Sequence, residues 1–589
     1  MDEPKIVKNG NSTSGIKETD PRAVLTELQG QLRLSPHDPK LLRAAAAAHR
    51  QLGEAAEAHQ AEISAIHHSS AVPALTEAAR QMNAKEFGEA SRILAEHLQR
   101  EPEDLAALTL SAEAGIALGV AFKVLPMLEK VLSRAPGFLR ARILYANALM
   151  LVDRLTDALR IIELVVAKRR DDAELVNLVS RIHTERGDYA SATKANKELV
   201  RLDPKSPEAL TNLGDSLRFD GKRAEALAAY RSAIAQDINH GRAWWSLADL
   251  DASVLTDDDI AQIEKSLAQR GDQPEHAGNL HFALGIAHDA RGKFEYAFAQ
   301  FTAGNKLRRL AQPYDAKEIT SQVDRYLDAL GDNPEPAVHR PEPKEPVPIF
   351  VLGMPRAGST LVERMLGRHS RIEALGELSI VPHMVDRLRN DAGEDRLEHT
   401  VAGLSDGALA NMGQWYVARA KERMKTDAGF FVDKLHMNWR HLPLILRMLP
   451  QARIIDIRRD AMDCCWSNFK TLFARGHPAA SDLSDIGLFY RDYVRQTDTL
   501  SRRFPGRIHL QSYEALVDSA ESETMSMVSA MDVPFEPQML EFHLSKEPVA
   551  TASSEQVRKP LNRKGIGAWK AYEPWLGPLR AALGEFAHD

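Results

Sequence analysis

The stretch Pro348-Ile349-Phe350-Val351-Leu352-Gly353-Met354-Pro355-Arg356-Ala357-Gly358-Ser359-Thr360 decides the fold of this chain. It reads as a buried apolar strand that runs into a small-residue loop and then into a helix from Leu361 to Gly367. A strand, a loop with paired glycines and hydroxyls, and a helix start together make an anion cradle, because backbone N–H groups and the positive helix end converge on one charge. The spacing nearly matches the nucleotide-binding P-loop, Gly-x-x-x-x-Gly-Lys-[Ser/Thr]. Here Gly358 is followed directly by Ser359-Thr360, the lysine is missing, and Arg356 supplies a cation inside the loop.

Downstream, apolar runs alternate with helical patterns, which predicts an α/β domain with a largely parallel sheet over 349–589. One strand-like piece, His369 to Leu378, ends on the carboxylate Glu377; another, Phe430 to Asn438, ends on Lys434; a third, Ala452 to Asp460, ends on Arg458-Arg459 before a helix from Ala461 to Phe473. Ligands of open parallel sheets sit beyond the carboxyl ends of the strands. That rule gathers Ser359, Glu377, Lys434 and Arg459 at one edge.

Upstream, the sequence repeats with a period of 34 from His37, in units beginning at His37, Ala71, Leu105, Leu139, Ala173, Pro207 and Gly241. The twentieth place of these units reads Ala56, Ala90, Val124, Ala158, Ala192, Ala226 and Ile260, small residues where two helices cross closely. Pro102, Pro136 and Pro204 recur at place 32 and end the second helix. In the unit Pro207 to His240, Asn212-Leu213-Gly214, Gly221, Ala226 and Tyr230 resemble the tetratricopeptide (TPR) consensus, and Phe282 to Phe301 reads as a displaced last unit. Stacked helix pairs of this kind offer a concave face for a protein or peptide partner. The expected organisation is a disordered tail at 1–20, a repeat array at 21–330 capped by Pro21 to Ser35, a Pro-rich linker at 331–348 and the α/β domain at 349–589.

Composition narrows the function classes. The 589 residues carry a net charge of −7, which gives no reason to expect nucleic acid as a partner. Two adjacent cysteines, Cys464 and Cys465, exclude a disulfide framework and fit a reducing compartment. Met1 to Asp20 lacks the apolar core of a signal peptide, and no stretch is long and apolar enough to span a membrane, so a cytoplasmic protein is expected. No histidine and cysteine spacing suggests zinc, and no metal site is expected.

The α/β half resembles the sulfotransferases that use 3'-phosphoadenosine 5'-phosphosulfate (PAPS), and among them the tyrosylprotein sulfotransferases. Pro355-Arg356-Ala357-Gly358-Ser359-Thr360 is similar to that family's Pro-Arg-Ser-Gly-Thr-Thr loop for the 5'-phosphosulfate, and without a gap Glu377 falls on the family's catalytic base. Arg459 with Ser467 eight positions on resembles the 3'-phosphate motif, Lys434 falls on the lysine of Asn-Lys-Asp-Pro, and Ser512-Tyr513-Glu514 resembles Arg-Tyr-Glu. Ser553-Ser554-Glu555-Gln556-Val557-Arg558-Lys559-Pro560-Leu561-Asn562 is similar to Ser-Thr-Asp-Gln-Val-Ile-Lys-Pro-Val-Asn, the segment that closes over the cofactor.

The resemblance implies PAPS as co-substrate, bound by Arg356, Ala357, Gly358, Ser359, Thr360, Arg459, Ser467, Tyr513, Ser553, Ser554, Gln556, Val557, Arg558 and Lys559. It implies catalysis by Glu377 as base, its pKa raised by burial, with Arg356 and Lys434 stabilising charge and Ser553 donating to the transferring group. A repeat array fused ahead of such a domain is a known bacterial arrangement, and an array of this size favours a protein or peptide hydroxyl, tyrosine among them, over a small molecule. Departures at Ser379, His383, Thr471 and Ala568 bear on specificity; Lys470 is a candidate replacement at Thr471, and Arg563, Lys564 and Lys570 are candidates at Ala568. Two other readings stay open: a P-loop kinase or NTPase, disfavoured by Ser359 where lysine should stand, and a TPR adaptor with an inactive sulfotransferase-like domain. The acceptor and the choice between monomer and homodimer stay open too.

Overall fold

The structure, a computed structural model, describes residues 20–69, 72–167, 169–270, 273–331, 345–392, 397–473, 477–545, 547 and 556–587. The expected disordered tail, most of the Pro-rich linker, and Ser553 and Ser554 lie outside the described residues. The chain forms two compact units, Met1–Lys168 and Arg169–Asp589. The first is built of antiparallel helix pairs from Pro21–Leu34 to Leu155–Val166.

The repeat pattern reads correctly through its middle and slips at both ends. Ala90, Ala158, Ala192 and Ala226 are fully buried and Val124 nearly so. Ala56 is exposed, however, and Ala58 takes the buried place, because the helix Ala55–His68 starts two residues later in its unit than the helix Phe87–Arg100 does in the next. Ile260 likewise yields to the buried Ile263 after a short 3-10 turn, Ala252–Val254, enters the connection. The glycines of the repeats make room for aromatic rings: a Cβ on Gly214 would stand 2.3 Å from Tyr230, and one on Gly285 2.5 Å from Phe301.

In the second unit, helices from Ala173–Glu185 to Ala316–Leu330 precede a five-stranded parallel sheet. Its strands are β1 (Val347–Gly353), β2 (Ile372–Ala374), β3 (Phe430–Asp433), β4 (Arg453–Arg458) and β5 (Ile508–Ser512), in the order β2-β3-β1-β4-β5. Every residue of β1 is buried, as a central strand covered on both faces requires. The helix after the loop spans Ser359–Leu366, starting two residues earlier than expected so that both hydroxyl residues lie in its first turn, and the helix after β4 stops at Phe469. Among the described residues no helix is long and apolar enough to cross a membrane.

The last repeat helices and the sheet share one hydrophobic core. Phe282, Phe301, Val323 and Tyr326 belong to the same buried cluster as Ile349, Phe350 and Val351 of β1. Phe298 stacks on Trp466, Phe469 and Trp575, and the side chain of Asn305 donates to the carbonyl of Phe469 at 2.7 Å. A core continuous across this junction makes the repeats from Pro274 onward part of the same folded body as the sheet.

Asp433, the last residue of β3, is fully buried and organises the strand ends. It accepts from the Tyr416 hydroxyl (2.8 Å), the N–H of Leu435 (3.1 Å), the N–H of Leu378 (3.4 Å) and the Asn438 amide (3.4 Å). It therefore ties the residue after Glu377 to the residue after Lys434. Burial lifts its carboxyl to about 7, against the pull of those donors, from an ordinary 3.8.

Two outcomes follow from this packing. Phe301→Ala, which empties a site between Gly285, Phe282 and Trp466, should lower stability by about 3–5 kcal/mol, read as an earlier urea midpoint for tryptophan fluorescence and helical signal together. A carboxyl whose folded pKa lies above its unfolded value stabilises fully below the unfolded pKa and loses that contribution as pH rises through the folded one. The stability advantage of wild type over Asp433→Asn should therefore shrink between about pH 4 and pH 7 and stay level above, as urea titrations across that range will record.

Candidate active site

The loop after β1 is shaped by backbone conformations that only particular residues adopt. Gly353 has φ of +148°, and a Cβ there would meet the carbonyl oxygen of Ile457 at 2.5 Å. Gly358 has φ of +111° and would meet the ring of Tyr513 at 2.6 Å. Between them Arg356 takes a left-handed φ of +67°, uncommon for a side chain of its size. The turn is held from behind: the Pro355 carbonyl accepts from the Asn468 amide at 2.7 Å and the Cys464 thiol at 3.5 Å, and the Arg356 carbonyl accepts from Arg459 at 3.1 Å. Ala357, Ser359 and Thr360 are buried behind the loop surface, and no side chain caps the helix that begins at Ser359. Its first N–H groups thus face the loop as anion donors.

Around this turn the structure gathers most of the residues expected at the phosphate site. Arg356 Nε donates to Ser467 Oγ at 3.2 Å and Arg356 Nη2 to Gln556 Oε1 at 3.2 Å. The Arg459 guanidinium lies over the Tyr513 ring, 5.3 Å from its centroid, and also donates to the Gly565 carbonyl. Burial, with Arg459 beside it, brings the Arg356 guanidinium down to about 10, so it remains a cation at neutral pH. The side chain of Val557 is buried in the core, Lys559 is exposed, and Arg558 reaches the turn after the helix Pro207–Phe219.

The carboxylate and lysine expected to do chemistry are bonded to each other. Lys434 Nζ donates to Glu377 Oε1 at 2.6 Å and lies 3.8 Å from Glu363 Oε2, on the helix that follows the loop. Lys434 is buried, whereas the Glu377 side chain remains 42% exposed. The expected rise of the Glu377 pKa is overturned. Burial does push it up, but the Lys434 and His436 charges and the Lys434 hydrogen bond outweigh burial and hold it below the usual 4.5. Lys434 is correspondingly raised, because its burial is outweighed by Glu377 and Glu363, and Glu363 is raised by burial. His436 Nδ1 stands 4.0 Å from Glu377 Oε1, and burial lowers the pKa of its imidazole.

Several residues of the site escaped the sequence. Asp463 binds the N–H groups of Gly567 (2.6 Å) and Trp569 (3.0 Å), fixing the segment whose Gly565 carbonyl meets Arg459. The glycine pair Gly565 and Gly567 was the available signal. Lys470 does not replace the missing cation at Thr471: it pairs with Asp289 of the repeats at 3.1 Å. Arg563 pairs with Asp518 at 2.7 Å instead of turning to the loop. Cys464 is buried and its thiol pushed up to about 12 by that burial, so it packs and holds Pro355 without redox chemistry.

Comparison with known proteins places the chain beside two families. Residues 348–537 match the sulfotransferase family and residues 123–182 match the tetratricopeptide repeat. An uncharacterized protein of Aquifex aeolicus is 28% identical over 438 residues, covering 71% of this chain, and the chain spans 56% of that protein's length. Protein-tyrosine sulfotransferase 1 of Danio rerio is 22% identical over 273 residues, covering 41% of this chain and 72% of that one. The solved sulfotransferase domain of the Synechococcus PCC 7002 olefin synthase is 21% identical, covers 40% of this chain and 98% of its own, and has a TM-score of 0.25. Residues 348–537 thus form a sulfotransferase-family domain, and tetratricopeptide repeats precede it.

Proposed function

We propose that this chain transfers a sulfuryl group from PAPS to a hydroxyl of a protein or peptide acceptor, tyrosine foremost, that the repeats bring to the domain. The observation that carries the reading is the Lys434–Glu377 pair beside a phosphate loop whose cation is Arg356. The match of the catalytic half to relatives named protein-tyrosine sulfotransferase supports tyrosine as acceptor. The same reading takes 21–330 as the repeat array, 331–348 as linker and 349–589 as the catalytic domain, acting in the cytoplasm of a bacterium.

Sulfuryl transfer asks the protein for position and for charge on the bridging oxygen more than for covalent help. The acceptor oxygen forms its bond to sulfur while the bond from sulfur to the 5'-phosphate oxygen breaks, and that oxygen keeps the electron pair. Glu377, ionised at neutral pH, takes the acceptor proton. Lys434 stands between two carboxylates, Glu377 and Glu363, and can shift its hydrogen bond from Glu377 toward the leaving oxygen while Glu363 still balances its charge. That shift strengthens Glu377 as a base at the moment the leaving group needs a donor. Arg356 and the helix start hold the phosphosulfate, Arg459 and Ser467 the 3'-phosphate, and Tyr513 the adenosine side.

Adenosine 3',5'-bisphosphate should raise the melting temperature of the full chain, and ATP with magnesium should not; the reverse result would sink the sulfuryl-donor reading. Labelled sulfate from PAPS should appear on a protein band of a cell lysate, and acid hydrolysis of a small-molecule or glycan product instead would overturn the acceptor class. Glu377→Gln should lower kcat by about 10²- to 10⁴-fold while leaving bisphosphate affinity within about twofold. Because Glu377 is held below 4.5 and Lys434 above 10.5, kcat/KM should stay level across neutral pH and fall only on the acid side of the ordinary carboxylate range.

A further inference from the structure

The repeats that precede the catalytic domain also touch its donor site. Gln556 bonds to Arg356 in the phosphate loop at 3.2 Å. Two residues on, Arg558 leaves the catalytic domain altogether: its Nη2 donates to the Phe219 carbonyl at 3.4 Å, and its Nη1 lies 3.3 Å from where a Cβ on Gly221 would be. Gly221 closes the turn between the helices Pro207–Phe219 and Arg223–Gln236 with φ of +79°, so the guanidinium rests on a spot bare of side chain. Arg558 Nε is buried without a hydrogen-bond partner. In the motif that this segment resembles, the position is an isoleucine; here an arginine long enough to reach the repeats stands instead.

The same repeats also act on the site through charge. Asp249, on the helix Gly241–Leu250, is held by the buried Arg218 at 2.7 Å, and its charge is felt at Arg356. Tyr189, buried on the helix Tyr189–Leu202 with its ring 5.3 Å from Phe219, is in turn within the field of Glu377 and Glu363. Charges of these repeats and charges of the site therefore act on one another.

We propose that the Phe219–Gly221 turn is a docking post that positions Gln556 through Arg558, so that these repeats set the affinity for the sulfuryl donor. The proposal rests on the PAPS reading. Holding Arg558 on the turn places Gln556 against Arg356 before the donor arrives, and a segment ordered in advance loses less freedom on binding. Arg558 is a positioning residue in this scheme, acting through Gln556 and Arg356.

The test alters the post and leaves the catalytic domain untouched. Asparagine tolerates a left-handed φ, so Gly221→Asn keeps the turn while its side chain displaces the Arg558 guanidinium. Calorimetric titration of adenosine 3',5'-bisphosphate into the full-length chain should show affinity weakened by about five- to tenfold, with the melting temperature of the free protein unchanged. Arg558→Ala should weaken binding to a similar degree, and the double variant should be no weaker than Arg558→Ala alone, because both act through one contact. Affinity within twofold of wild type in folded Gly221→Asn, or full additivity in the double variant, overturns the proposal. If Gly221→Asn fails to fold, Arg558→Ala decides: unchanged affinity overturns the proposal and a five- to tenfold loss supports it. Wild type that binds no bisphosphate overturns the donor reading itself.

Discussion

The Pro355 and Arg356 carbonyls are held from behind, and the site depends on that restraint. A peptide unit is planar and trans, so a carbonyl fixed on one side sets the direction of the N–H across the same plane. Asn468 and Cys464 fix the Pro355 carbonyl and Arg459 fixes that of Arg356. The left-handed φ of Arg356 is the conformation these bonds impose, and Gly353 and Gly358 are what let the chain enter and leave it. A lysine after Gly358 is not needed for charge, because the loop already carries a cation whose guanidinium is aimed by Ser467 and Gln556. The phosphate loop and the helix Ala461–Phe469 are in this sense one device, with the helix setting the loop from below.

The chemistry is set by a lysine shared between carboxylates. Glu363 comes from the helix that the phosphate loop opens and Glu377 from the loop after β2, while Lys434 directly follows β3. Asp433 adjusts the last two together through the N–H groups of Leu378 and Leu435. Any group that competes for Lys434 changes the basicity of Glu377. What Lys434 binds and how basic Glu377 is are thus linked by proximity.

Residues whose placement follows from local order were readable in the sequence. The phosphate loop, the strand ends bearing Glu377, Lys434 and Arg459, and the buried alanines of the central repeats all depend on neighbours in the chain or on fixed periods. What was not readable depends on distant partners or on the balance of opposing terms. Asp433, fully buried, has nothing in its sequence surroundings to mark it, and the direction of the Glu377 shift turns on whether Lys434 outweighs burial. Lys470 stands next to Thr471 yet pairs with Asp289, 181 positions away. The alanine period failed at Ala56 and Ile260 because a two-residue offset and a short turn move helices against a count that assumes none. The core shared by Phe301 and β1 was hidden behind a proline-rich stretch that looks like a boundary in composition.

The distance between Arg356 and its partners also sets an order of events during synthesis. Repeats close through contacts between adjacent helices and can fold as they leave the ribosome, whereas a parallel sheet must wait for strands far along the chain. The phosphate loop emerges before Asn468, 113 positions later, and long before Gln556, 200 positions later. Until those residues arrive the Pro355 carbonyl has no amide to hold it. The Phe219–Gly221 turn, by contrast, is finished early and waits for Arg558. A growing chain can therefore order its repeats well before it has made the side chains that aim Arg356.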